Sequence, residues 1–184
     1  IDKIYNAFFI SISCRSLGFN TLPIGALSNA TLLIMIILMS IGTASGSTGG
    51  GIKLSTFHIL IKSAWATIKN KRQVSVANRA VSFDLVNKSY VVLLFTIFMI
   101  LAGTVVLSIT DPEFSFLEIL FEVTSACGTV GLSMGISPFL STLGKFILVV
   151  FMYIGRITVL TLVISIARKV FNGYSLAQTN LSLN

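Results

Sequence analysis

An uninterrupted apolar run without a single charged side chain, residues 89–109, constrains this chain more than any other feature. Its length matches the ~20 residues that an α-helix needs to cross a bilayer. The composition agrees, because 54% of the residues are hydrophobic and only 10% are charged, against about 25% charged residues in soluble domains. So few charges cannot cover a water-facing surface. The sequence therefore predicts an all-α membrane protein.

Two further regions predict spanning helices, and both carry an irregularity. Residues 142–167 are apolar but contain Arg156 deep inside the predicted span. Residues 28–41 begin a span that breaks at the glycine-rich segment 42–53, after which a helical pattern resumes over 54–69. The sequence thus predicts an inner helix that is broken within the membrane.

Two shorter apolar stretches, residues 4–14 and 114–127, are too short to cross a bilayer. Each is followed by a loop of small residues, which predicts a short helix that enters the membrane and returns as extended chain. Irregular backbone is tolerated at membrane depth only where protein or a water-filled path surrounds it. The pattern therefore indicates a pore.

The chain also repeats itself at a spacing of 113 residues. Gly131 follows Gly18 and Cys127 follows Cys14 at this spacing, which also pairs residues 39–42 with 152–155. Internal repeats in membrane proteins commonly build a site around a shared axis. The predicted unit is pore helix, filter loop and spanning helix. We expect the first copy to have lost its outer helix to truncation, so that the chain is a piece of a longer protein.

The two loops that the repeat pairs are the predicted ion filter. Their residues are Ser16, Leu17, Gly18 and Phe19 in the first predicted filter loop, and Thr129, Val130, Gly131 and Leu132 in the second. Potassium filters replace the hydration shell of the ion with backbone carbonyls, and glycine reaches the required φ/ψ values. A complete filter needs about four loops, so missing sequence or another chain must supply the others. The alternative interpretation is a pair of tight interhelical turns.

The glycine-rich loop, residues 42–53, is the predicted gate. Its candidate gating residues are Gly42, Ser45, Gly46, Ser47, Thr48, Gly49, Gly50, Gly51 and Lys53. Each glycine disfavours a helix by ~1 kcal/mol relative to alanine, so a flexible loop lining the path below the filter is expected. A phosphate-binding loop is excluded, because Ile52 stands between the second glycine of that motif and the lysine, and the segment follows an apolar helix.

Three charged residues within the apolar regions are further candidates. Arg156 is predicted to lie near the glycine-rich loop and to set a barrier to cations, with snorkelling or a structural ion pair as the alternative. Glu118 and Glu122 either concentrate cations at the pore mouth or are ordinary interfacial acids. Cys14 and Cys127 have no metal-ligand or redox spacing and are expected to be small buried side chains.

The distribution of charge predicts the orientation in the membrane. Basic residues dominate between residues 53 and 88, whereas residues 111–122 carry four acids and no base. Basic connections mark the cytoplasmic side, so residues 67–89 and, through Arg168 and Lys169, the C-terminus are predicted to be cytoplasmic. Nucleic-acid binding is disfavoured for a basic segment next to apolar spans.

Four motifs together resemble the Ktr/Trk/HKT superfamily of potassium transporters, with the greatest likeness to the bacterial Ktr-type membrane subunit. They are SCRSLGFNT (13–21), IGTASGSTGGGIK (41–53), GTVGLSMG (128–135) and GRITVLTL (155–162). The resemblance implies a potassium-channel-like fold of four helix–pore loop–helix repeats, of which this chain holds the third and fourth. Gly18 and Gly131 would then hold K⁺ through their backbone, with no covalent cofactor.

The resemblance also implies boundaries and partners. Residues 1–69 would form the pore loop and broken inner helix of repeat three, 70–88 a cytoplasmic connection, 89–171 a complete repeat four and 172–184 a cytoplasmic tail. The family implies a homodimer in the bacterial cell membrane, a cytoplasmic ring of nucleotide-binding regulatory subunits and the missing N-terminal half. One departure concerns the packing around Arg156, since Thr158 and Val159 stand where the family often has Gly and Pro.

The function predicted from these observations is potassium uptake through a filtered and gated pore. A sodium-coupled solute symporter with a broken-helix site is the alternative, and it explains the glycine-rich loop but not the duplicated filter loops. A non-conducting fragment or scaffold is a third possibility. An enzyme is disfavoured, since no nucleophile–base pair or metal-ligand set is apparent. The choice between K⁺ and Na⁺ depends on a first-repeat filter that this sequence does not contain.

Overall fold

The computed structural model describes residues 2–44, 46–47, 49–70, 73–76 and 79–157. Several predictions lie outside the described residues. They concern Ser45 and Thr48 of the glycine-rich loop, the span beyond residue 157 with Thr158 and Val159, the basic pair Arg168 and Lys169, and the tail 172–184.

The described chain is built from helices, as predicted. These are α1 (Asp2–Ser13), α2 (Asn29–Ser40), α3 (Leu54–Ile68), α4 (Phe83–Thr110), α5 (Phe116–Gly128) and α6 (Thr142–Arg156), with a single 3₁₀ turn at Ile24–Ala26. A short antiparallel ribbon of β1 (Ser75–Val76) and β2 (Arg79–Ala80) was not predicted. It lies in the polar connection between α3 and α4 and leaves the helical class unchanged.

Helix α4 contains the whole apolar run on which the membrane assignment depends. It has 28 residues and a mean hydropathy of 2.7 in its most apolar window, and it is the one helix in the described part of the chain that is long and apolar enough to cross a membrane. At ~1.5 Å per residue it extends over about 42 Å, more than the ~30 Å hydrocarbon core. Its side chains at Leu94, Phe98, Val105 and Ile109 are exposed, as expected for a lipid-facing surface.

Helix α5 lies at the centre of the molecule, packed against α2, α4 and α6. It starts with a capping box in which Ser115 and Glu118 satisfy each other's backbone amides. Nearly all of its residues from Ile119 to its end are buried. Phe121 joins one apolar core with α1 and α2, and Val123 joins a second core with α4 and α6. The short helix 114–127 of the prediction is therefore the best-buried element.

Both inner helices end early. Helix α2 ends at Ser40 and extended backbone follows at Ile41, close to the predicted break at residue 42. Helix α6 ends at Arg156, with Ile157 extended. The prediction of a span over 142–167 did not include this interruption at Ile157, and its residues from 158 onward lie outside the described part of the chain. A glycine at position 155 and a β-branched residue at 157 both lower helix propensity, which hydropathy alone does not register.

Candidate functional site

The two predicted filter loops share an unusual backbone conformation. The first and third residues of each loop have positive φ angles, 68° at Ser16 and 73° at Gly18, and 52° at Thr129 and 88° at Gly131. This left-handed region is open to glycine but is rare for other residues, above all for a β-branched one. The second loop directly follows α5, and two residues separate the first loop from the end of α1. The residues that the 113-residue spacing pairs thus adopt the same conformation.

Gly18 and Gly131 face each other across the space between the loops. A Cβ atom built on Gly18 would lie 2.9 Å from the carbonyl oxygen of Val130 and 3.3 Å from the Cα of Gly131. A Cβ atom on Gly131 would lie 3.4 Å from the Cα of Gly18. The φ angle and the space at Gly18 therefore both require glycine. Two loops that are more than a hundred residues apart in sequence meet backbone to backbone.

The remaining side chains of the two loops differ in their surroundings. Val130 and Leu132 are buried in the apolar core that includes Ile10 and Met35. Leu17 and Phe19 are exposed, with 49% and 69% of their side chains accessible. In the second loop, burial of the side chains leaves the backbone free to face the opposite loop.

The glycine-rich loop is closed on itself. An isolated parallel bridge joins Ile41 to Ile52, formed by hydrogen bonds from Gly42 N to Ile52 O (2.9 Å) and from Ile52 N to Ser40 O (3.1 Å). The Nζ of Lys53 donates to the carbonyl oxygens of Ser47 (2.8 Å) and Gly49 (2.6 Å). The ammonium group of Lys53 therefore satisfies backbone carbonyls inside the loop.

This loop lies directly against both predicted filter loops. The amide of Gly50 donates a hydrogen bond to Thr129 Oγ1 at 2.7 Å. A Cβ atom on Gly50 would lie 2.9 Å from the carbonyl oxygens of Cys127 and Gly155, and one on Gly49 would lie 2.9 Å from Ser16 Oγ. Backbone from α5, α6 and the loop meets at Gly50 with no room for a side chain.

Arg156 stands next to this meeting point. Its neighbour Gly155 is buried against the carbonyl of Cys127 and beside Gly50. The Arg156 side chain itself is exposed. No hydrogen bond or ion pair of its guanidinium is formed with the described residues. The chain path thus brings Arg156 close to the loop, without a polar contact between the guanidinium and the described residues of the loop.

The two acids of α5 have different partners, and neither is free. Glu118 is part of the capping box at the start of the helix. Glu122 is 5% exposed and accepts hydrogen bonds from the hydroxyls of Ser133 and Ser137 and from the amide of Met134 (3.1 Å). Glu122 therefore anchors the segment that follows the second filter loop. Sequence reasoning missed this role, for which the only signal is a carboxylate in a helix whose following loop carries two serines.

Asp111 forms a second clamp, at the opposite end of α4 from the basic connection. Its carboxylate accepts hydrogen bonds from Ser141 N (2.7 Å), Ser141 Oγ (3.0 Å) and Thr110 Oγ1 (2.9 Å). Burial alone would raise the pKa of this carboxyl, but the hydrogen bonds from Ser141 and Thr110, and the charge of Lys145, place it below its usual range. The clamp joins the end of α4 to the N-terminus of α6.

Nothing in the described segments groups three or more His, Cys, Asp or Glu residues in a way that could hold a metal ion. Cys14 and Cys127 are buried free thiols, in agreement with the prediction of small buried side chains.

A comparison with known protein families identifies the family of this chain. The family model described as TrkH, cation transport protein, matches residues 1–174. The chain belongs to the TrkH family. Family membership confirms the resemblance to the Ktr/Trk/HKT superfamily.

Individual relatives are named for potassium uptake or for potassium and sodium uptake. The chain is similar to the Ktr system potassium uptake protein B of Bacillus subtilis, with 39% identity over 91% of this chain and 38% of the relative. It is also similar to the protein of that name from Vibrio alginolyticus, with 41% identity over 88% of this chain and 35% of the relative. A third relative is the potassium/sodium uptake protein NtpJ of Enterococcus hirae, with 36% identity over 91% of this chain and 38% of the relative. The chain spans a little over a third of the length of these relatives.

Proposed function

We propose that this chain forms two of the four pore-loop repeats of a potassium uptake protein in a bacterial cell membrane. The observation that carries the proposal is the pairing of Gly18 and Gly131, each left-handed and each in a loop that follows a short helix. Left-handed turns reorient successive carbonyls, which is what a carbonyl-lined filter requires. The negative ends of α1 and α5 point into the same loops and favour a cation there.

The other two filter loops would come from the part of the relatives that this chain does not cover. The recurrence of helix order and positive φ at a spacing of 113 residues supports a repeat of helix, pore loop and helix. In this arrangement residues 1–69 belong to one repeat, 70–88 form the cytoplasmic connection and 89–171 form the next repeat, with the tail 172–184 also cytoplasmic. A homodimer and a cytoplasmic nucleotide-binding ring are part of the same proposal.

The glycine-rich loop is proposed as the gate. Its Gly50 is hydrogen-bonded to Thr129 of the second filter loop, which supports a position beside the proposed ion path. Its internal hydrogen bonds with Lys53 make it a unit that can move as a whole. Arg156, adjacent to this unit and without a described polar partner, would add a positive barrier at the same level.

Complementation tests the proposed function. The full-length gene should restore growth at low external potassium to a bacterium that lacks its own potassium uptake systems. Growth failure despite confirmed membrane expression would contradict the proposal. Because one relative is named for both potassium and sodium uptake, uptake of the two ions should be compared directly. Uptake that requires a co-transported organic solute would instead favour the symporter.

A further inference from the structure

A small cavity at the end of α3 belongs to no part of the proposed pore. It encloses about 260 Å³ and is lined by Ile61, Lys62, Trp65, Lys69, Gln73 and Ser75. Two of these side chains are cationic, one is an amide and one is a hydroxyl. Together with the indole N–H of Trp65, this lining offers hydrogen-bond donors from five side chains and contains no acid.

The two lysines are free to bind an anion. Lys62 and Lys69 are seven residues apart on one helix face, about 10 Å along the axis. Neither ammonium forms an ion pair or a hydrogen bond with the described residues. Lys69 Nζ instead lies 5.3 Å from the centre of the Trp65 ring, a cation–π contact that holds it beside the cavity. Such a donor set suits an anion with several acceptor oxygens, of which phosphate is the most common.

The position of the cavity favours the membrane surface as the source of that anion. Tyr90 Oη donates to Ser63 Oγ at 3.2 Å, so α3 and α4 are joined by a side-chain contact within about two turns of the connection between them. Near this contact Trp65 is 56% exposed and Ile68 is 77% exposed. Exposed tryptophan and lysine side chains together are typical of the headgroup region, where basic pockets bind anionic lipid headgroups.

We propose that this cavity binds the phosphate group of an anionic phospholipid. Lys62 and Lys69 contact the phosphate oxygens, Gln73 and Ser75 donate further hydrogen bonds, and Trp65 packs against the glycerol region. This site is distinct from the ion path, and its test does not depend on potassium flux.

Quenching of Trp65 by brominated lipid measures the binding. Trp65 is the only tryptophan in this sequence, and the fluorescence of the W65F variant of the full-length protein gives the background. The protein is reconstituted in phosphatidylcholine vesicles with a minor fraction of either brominated phosphatidylglycerol or brominated phosphatidylcholine. We expect stronger quenching by phosphatidylglycerol, and apparent binding about five-fold weaker for each lysine removed, so that K62Q/K69Q loses the preference.

A matched variant and a competitor make the result decisive. K88Q removes an exposed lysine at the start of α4 that does not line the cavity, and it should keep the preference. Equal quenching by the two brominated lipids would overturn the proposal. So would a K88Q effect as large as that of K62Q/K69Q, which would indicate general surface charge. If millimolar inorganic phosphate abolished the preference for phosphatidylglycerol, the site would belong to a soluble ligand. If K62Q/K69Q kept the wild-type quenching but no longer bound an acidic protein partner, the site would belong to that partner.

Discussion

The amide of Gly50 donates a hydrogen bond to Thr129 Oγ1 across 2.7 Å, although the two residues are 79 positions apart in sequence. This bond joins the middle of the glycine-rich loop to the first residue of the second filter loop. The backbone of Thr129 has a positive φ of 52°, and its side chain accepts the hydrogen bond from Gly50. The proposed gate and the proposed filter are therefore coupled through one side chain.

Removal of that hydroxyl should release the loop. T129V keeps the shape of the side chain but leaves the Gly50 amide without its acceptor, which costs about 1–3 kcal/mol. We expect potassium uptake by the full-length protein to rise about five-fold or more, since about 1 kcal/mol shifts an equilibrium about five-fold and about 1.4 kcal/mol shifts it about ten-fold. Initial uptake rates of ⁴²K⁺ or Rb⁺ would measure this.

T129S is the matched control, because it retains the hydroxyl. It should transport at close to the wild-type rate. Equal rates for T129V and T129S would show that the hydrogen bond does not restrain the loop, and a loss of potassium selectivity in both would assign Thr129 to the filter alone.

A second prediction compares Gly131 in the second filter loop with Gly135, which lies just after that loop. Gly131 and Gly135 both have positive φ angles, 88° and 98°, so alanine costs each a similar ~1–2 kcal/mol of backbone strain. Only Gly131 faces the opposite glycine, since a Cβ on Gly135 would have no neighbour within 4 Å. We expect G131A to abolish discrimination between potassium and sodium, while G135A retains it. Competition of Na⁺ with Rb⁺ uptake gives the readout, and equal selectivity in the two variants would argue against the filter assignment.

Glu122 is predicted to stabilise the segment after the second filter loop. In E122Q one carboxylate acceptor becomes an NH₂ donor that faces hydroxyls and an amide, so about 1–3 kcal/mol of stability should be lost. The capping-box variant E118Q should change stability little, because glutamine also serves at that position. Thermal unfolding of the full-length protein in detergent compares them. If the two variants unfolded at the same temperature, the network around Glu122 would have no special role.

The lowered pKa of Asp111 predicts how the free energy of unfolding depends on pH. Its folded-state pKa lies below its usual range, and the usual value is about 3.9. The stabilisation is therefore fully present above about pH 4 and disappears as the pH falls through the lower, folded-state pKa. At neutral pH D111N should be less stable than wild type by about 1–3 kcal/mol, and the difference should shrink in acid. T110V removes only one of the hydrogen-bond donors, so it should lose only part of this stability. A stability difference between D111N and the wild type that stays constant from about pH 3 to about pH 7 would refute the assignment.

Much of the fold could be predicted because apolar runs determine where helices form in a membrane. The helices α2, α4 and α5 lie where residues 28–41, 89–109 and 114–127 predicted them. The end of α6 at Arg156 was missed, because Gly155 and Ile157 lower helix propensity within a run whose hydropathy stays high. Hydropathy reports the environment of a segment and not its local backbone preference.

The site was predictable in part for a different reason. The left-handed residues at Gly18 and Gly131 follow from the chemistry of glycine, and the spacing of 113 residues pairs them. The partners of Glu122 and Thr129 could not be predicted, since Ser133, Ser137 and Gly50 approach them only after the helices have packed. A carboxylate in an apolar helix has the same sequence signature whether it faces solvent or holds a loop.

The bridge between Ile41 and Ile52 also limits how the glycine-rich loop can move. The chain enters and leaves the loop at adjacent points, so both ends of the loop are fixed relative to α2 and α3. Displacement of Gly50 from Thr129 therefore needs backbone rotation within the loop and no movement of the two helices. The loop is in this sense a flap, and the hydrogen bonds of Gly42 and Ile52 form its hinge.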